Sequence, residues 1–76
     1  MKIYAIWKQS FQDIYGYETP MYLYLRDAEA NMKHIMDNST AQGNGQFKEW
    51  KNGFANSDFN ICIDEIDVYE GEQLTI

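Results

Sequence analysis

Hydrophobic and polar positions first alternate with a period of two. From Lys2 to Gln9, Ile3, Ala5 and Trp7 share one face and Tyr4 and Ile6 the other, a β-branched and aromatic run that predicts a strand covered on both sides and central in its sheet. Residues 10 to 20 hold Gly16 and Pro20 among polar groups and predict a loop or twisted hairpin end. Met21 to Leu25 alternates again and predicts a second strand, with Met21, Leu23 and Leu25 on one face and Tyr22 and Tyr24 on the other.

The period then changes to 3.6. Leu25, Ala28, Met32, Ile35 and Met36 form one apolar stripe, with Arg26, Glu29, Lys33 and Asp37 turned to water. Asp27 is a candidate N-cap, and Glu29 puts negative charge where the helix dipole favours it, so the spacing predicts a helix over residues 27 to 38. Gly43 and Gly45 punctuate residues 38 to 46 as a flexible loop, and Asn52-Gly53 favours a tight turn, with Phe47, Trp50 and Phe54 available to close one end of the core.

Asp58 to Tyr69 predicts the last strand. Its apolar positions change phase, from Phe59, Ile61 and Ile63 to Ile66 and Val68, which requires either a β-bulge near Asp64-Glu65 or burial on both sides; the bulge is the expectation. Residues 70 to 76 read as an acidic tail.

Together these elements predict a single α+β domain over residues 1 to 76: a small antiparallel sheet of about three strands in ββαβ order, with one helix packed on one face. If the helix covers Ile3, Trp7, Leu23 and Leu25, then Tyr4, Ile6, Tyr22 and Tyr24 are left on an open face, either a protein interface or a surface under folded-back loops.

Composition narrows the functional classes. At 76 residues the hydrophobic core is only just sufficient, although two Trp, six Tyr and four Phe give it large apolar surfaces to bury. A formal charge of -6 disfavours direct contact with nucleic-acid phosphates. It favours a protein partner with a basic surface. All six basic residues lie between Lys2 and Lys51, whereas Asn52 to Ile76 carries six acids and no base. That segregation makes Asp64, Glu65, Asp67, Glu70 and Glu72 a candidate docking surface, beside the alternative of a solvated strand face and tail.

Candidate chemistry is sparse. Cys62 and His34 offer a formal nucleophile and base, but a lone strand cysteine reads first as a small packed hydrophobe. The two fall short of a zinc ligand set, and DEIDVYEGE lacks the spacing that curls a loop around calcium. No phosphate-binding glycine motif is present. No catalytic residue, metal site or cofactor is expected. With no disulfide pair, leader or 18-residue apolar run, the chain reads as cytoplasmic and off the membrane.

The order KIYAI, MYLYL, RDAEANMKHI and FNICIDEIDVYE resembles a loose class of small bacteriophage and prophage proteins, from Lys2 to Glu70. The resemblance implies an accessory protein in a bacterial host cytoplasm, sometimes an inhibitor of a host enzyme or a defence complex of the anti-CRISPR-targeted kind. It carries over no functional residue. The expected function is therefore a small, acidic, non-enzymatic binding protein that docks on a host protein, with a homodimeric accessory protein as the alternative and a cysteine-dependent enzyme behind both.

Overall fold

A computed structural model describes residues 1–10 and 14–68. Among these residues, five strands and one helix follow in the order β1 (Lys2–Ser10), β2 (Tyr15–Tyr22), α1 (Leu25–Ala41), β3 (Lys48–Trp50), β4 (Gly53–Ala55) and β5 (Phe59–Asp67). The strands make one antiparallel sheet in the order β2-β1-β5-β4-β3. The α+β class and the single helix agree with the sequence reading; about three strands in ββαβ order does not.

The two additional strands, β3 and β4, come from one place. Residues 47 to 54, undecided in the sequence, fold as the β3–β4 hairpin, which pairs with β5 through Phe54–Ile61 and Ala55–Asn60. Three-residue strands are too short to show a period of two, so only the turn signal was readable. The turn puts its left-handed residue at Lys51, φ 54°, rather than at Asn52 or Gly53. Gly53 answers a different need, because a Cβ there would collide with the Ile61 carbonyl and stand 2.7 Å from the Cys62 Cβ.

The second strand also lies earlier than Met21 to Leu25. Gly16 and Pro20 look like loop punctuation, but β2 is an edge strand, where a proline without an N–H breaks no ladder on its outer side. Leu23 and Tyr24 instead lead into the helix, and Leu25 opens it.

β1 is central, flanked by β2 and β5, as its two-sided pattern predicted. The sheet's irregularity falls between β1 and β2. Tyr4 faces Tyr22 and Ile6 faces Glu18, so Thr19, Pro20 and Met21 stand opposite Ala5 alone. No bulge interrupts β5, whose pairing with β1 runs unbroken from Lys2–Asp67 to Ser10–Phe59. Its change of apolar phase has the other cause. Ile61 and Ile63 point to one side, and Ile66 pairs with Ile3 on the opposite side.

α1 begins at Leu25 and runs to Ala41, longer at both ends than residues 27 to 38. Its N-cap is Tyr24, without a side-chain cap, and Asp27 lies inside the first turn, where its charge still suits the dipole. Ala28 is buried, and Met32, Ile35 and Met36 pack on Ile6, Phe59 and Ile61 with Tyr22, Phe47, Phe54 and Ile63. Leu25 drops out of the predicted stripe and stays exposed. Phe47 lies 5.3 Å from Phe59, ring centre to ring centre, and closes the core end as expected with Phe54; Trp50 does not join them.

Residues 38 to 46, read as a flexible loop, are tied down by side chains. Asn56 donates from Nδ2 to Ser39 Oγ at 3.0 Å and to the Gly45 carbonyl at 3.2 Å, while its Oδ1 accepts from the Asp58 and Phe59 amides. Ser39 is thereby both buried and satisfied. Among the described residues, no helix is long and apolar enough to cross a membrane.

Candidate functional site

The core cluster identifies the side of the sheet under the helix. Ile6 packs with the helix, so the even positions of β1 and the odd positions of β5 lie beneath α1. Tyr4, Ile6 and Tyr22 therefore belong to the helix side. Ile3, Ala5 and Trp7 belong to the open side, the reverse of the sequence expectation. Lys2 and Lys8 share the helix side of β1 with Tyr4 and Ile6. Both sit near strand ends and reach outward: Lys2 Nζ lies 3.0 Å from Glu65 and from Asp67, and Lys8 Nζ lies 3.5 Å from Glu18 and 4.5 Å above the Phe59 ring.

The open side carries a different set of aromatic residues. Across the sheet, Tyr17 stands beside Trp7, Trp7 beside Cys62, Cys62 against Gly53, and Gly53 beside Trp50. Strand spacing of about 4.8 Å sets the two tryptophans roughly 14 Å apart at the backbone, with two small residues between them. The result is a cleft of 230 Å³ walled by Trp7 and Trp50, with Gln9, Asn60, Lys51 and Asn52 in its lining.

The walls are fixed by local contacts. Trp7 lies 5.1 Å from Tyr17 edge to face and 5.6 Å from Tyr15, and Lys51 Nζ sits 4.4 Å from the Trp50 ring. The Tyr17 hydroxyl donates to Asp64 at 2.8 Å; that hydrogen bond, more than desolvation, holds its pKa above the ordinary value. Trp7, Tyr15, Tyr17 and Trp50 thus form a preorganised surface with no helix or strand over it among the described residues.

The sequence-predicted acidic surface does not come together as one patch. Asp64 lies on the open side, opposite Ala5, whereas Glu65 and Asp67 lie on the helix side, opposite Tyr4 and Lys2. Lys2 bridges the last two, and its pKa is raised by hydrogen bonds first to Glu65 and then to Asp67. Glu70 and Glu72 lie outside the described residues. Of the predicted aromatic surface, Tyr22 packs on the core, Tyr4 is half-buried beside Glu65, and Tyr24 caps the helix with the Arg26 guanidinium 4.8 Å from its ring.

Sequence reasoning missed Tyr15, Tyr17 and Trp50. Tyr15-Gly16-Tyr17 does carry a period of two, a readable signal that Gly16 and Pro20 masked.

Cys62 and His34 do not meet. Cys62 pairs with Trp7 on the open side, and His34 is exposed on the helix that covers the other. The Cys62 thiol is raised above its ordinary pKa by burial and secondarily by Asp64. Among the described residues, no group of three or more His, Cys, Asp or Glu side chains is placed to hold a metal ion. Comparison with protein-family models, curated proteins and solved structures found no match to the chain.

Proposed function

We propose that this protein is a small non-catalytic binding module that holds a protein partner against the open side of its sheet. The observation that carries this reading is the uncovered aromatic row, Tyr17, Trp7 and Trp50, with Tyr15 beside it. Tyr15, Tyr17 and Trp50 are exposed, and Trp7 is half-buried between them. Exposed aromatic area around a cleft, with amides and a lysine at its rim, has the chemistry of an interface centre: apolar anchors enclosed by groups that fix orientation.

The cleft between Trp7 and Trp50 would take one apolar or aromatic side chain of the partner, with Asn60 and Lys51 meeting its polar atoms. The net charge of -6 acts at longer range and steers a partner of basic character. Those two contributions separate in kinetics. Added salt should slow association and leave dissociation nearly unchanged.

The test is capture from a bacterial lysate with wild-type protein, Trp50→Ala, Tyr17→Phe and a helix-surface control, Lys33→Gln. A specific protein retained by wild type and the control, and lost in Trp50→Ala, is the expected result. Equal retention by all of them, or no specific retention at all, would sink the reading. Sedimentation of wild type alone decides the rival occupant, because a dimer disrupted by Trp50→Ala would mean that a second copy covers this face.

A further inference from the structure

We propose that Asn52 is a site of spontaneous deamidation, and that the structure selects it over the second Asn-Gly pair of the chain, Asn44-Gly45. In this reaction the backbone nitrogen of the following residue attacks the asparagine side-chain carbonyl. A new N–C bond closes a succinimide, the bond to the side-chain nitrogen breaks, and ammonia leaves with the proton. Water then opens the ring at either carbonyl and leaves aspartate or isoaspartate. The reaction needs water and no oxidant, enzyme or metal. Glycine in the following position favours it, because no Cβ blocks the approach and the backbone can turn into the attacking geometry.

The sequence offers Asn44-Gly45 and Asn52-Gly53. They differ in how the asparagine side chain is held, whereas the attacking Gly53 nitrogen lies in β4 and must first be released from the ladder. Asn44 is held at both ends of its side chain and backbone: Nδ2 donates to Ser39 Oγ and Asp58 Oδ2, each at 3.4 Å, and its carbonyl accepts from the Ser57 hydroxyl at 2.5 Å. The Gly45 carbonyl accepts from Thr40 Oγ1 and from Asn56 Nδ2, each at 3.2 Å. Rotation of the Asn44 carboxamide onto the Gly45 nitrogen would break this network.

Asn52 has no such restraint. It is exposed in the turn between β3 and β4, and its side-chain amide makes no hydrogen bond to a described residue. Each strand of the hairpin is three residues long, β3 forms the sheet edge, and every residue of β3 is exposed. Short edge ladders open locally at low free-energy cost, which frees the Gly53 nitrogen.

The consequence falls on the cleft. Asn52 is part of its lining, next to Lys51, so the product sets a carboxylate beside the lysine at the rim, and isoaspartate also lengthens the turn that carries Trp50. Only this consequence rests on the proposed binding role of the open side.

The experiment incubates the folded, full-length protein at mildly alkaline pH and physiological temperature, with peptide mapping by mass spectrometry over time. The expected result is conversion at Asn52 at least about tenfold faster than at Asn44, the ratio given by a barrier difference of about 1.4 kcal/mol. In denaturant the two sites should converge, since the protection of Asn44 is structural, and Asn52→Gln should abolish the fast phase. Equal rates in the folded protein, a faster Asn44, or no conversion at Asn52 would overturn the assignment. Aged protein that has converted at Asn52 yet captures the partner as well as fresh protein would overturn the effect on binding while leaving the chemistry in place.

Discussion

Cys62 occupies the middle of the aromatic row, and its chemistry is set by what surrounds it. Burial disfavours the thiolate, the nearby Asp64 carboxylate disfavours it further, and the thiol is held above its ordinary pKa of 9.0. A poised nucleophile needs the opposite shift. Asp64→Asn removes the second cause and keeps the first, so reaction with a disulfide reagent near neutral pH should accelerate a few-fold, measured as thiol release against time. An unchanged rate would show that Asp64 does not act on the thiol. The same residue links to stability on the alkaline side. Cys62, Tyr17 and Lys2 all titrate above their ordinary values, so each contribution is present below the ordinary value and is lost as pH rises through the raised one.

At the scale of elements, Gly53 decides whether the β3–β4 hairpin docks. β4 approaches β5 so closely at this point that a Cβ has no room between the Ile61 carbonyl and Cys62. Gly53→Ala should therefore splay the hairpin from the sheet and cost about 1–3 kcal/mol, the usual range for overpacking. Chemical denaturation measures the loss, and hydrogen exchange should show it concentrated in residues 48 to 55. What the sequence disclosed follows the length of each periodic run. The helix carries a stripe over several turns, and Ala28, Met32, Ile35 and Met36 were readable because four positions agreed. β1 was readable as central because Ile3, Tyr4, Ile6 and Trp7 are apolar on both sides. Which side meets the helix was not, since that depends on pairing with Ile61 and Ile63 across the sheet. The candidate site was lost with it. The sequence suggested an open aromatic face; the structure places Trp7, Tyr15, Tyr17 and Trp50 there in place of Tyr4, Tyr22 and Tyr24.

For the whole molecule, the division of aromatic surface between a small core and an open face separates stability from binding. The side chains that are fully withdrawn from water are few: Ala5, Ile6, Ala28, Phe59 and Ile61 make up the buried apolar set among the described residues. A chain of this length has roughly 4–11 kcal/mol of total stability at the usual contribution per residue. Phe59→Ala, which removes the buried ring that Phe47 and the Lys8 ammonium pack against, should cost about 3–5 kcal/mol and leave a large fraction of the chain unfolded. Trp50 is also a large aromatic side chain, but it stands 44% exposed on an edge strand. Trp50→Ala should cost clearly less than Phe59→Ala, because 44% of its surface already faces water in the folded protein. Thermal denaturation of the two variants, followed by circular dichroism, gives the comparison directly. A Trp50→Ala protein as unstable as Phe59→Ala would mean that the open face contributes to the fold itself. It would then have no claim to be a binding surface held free for a partner.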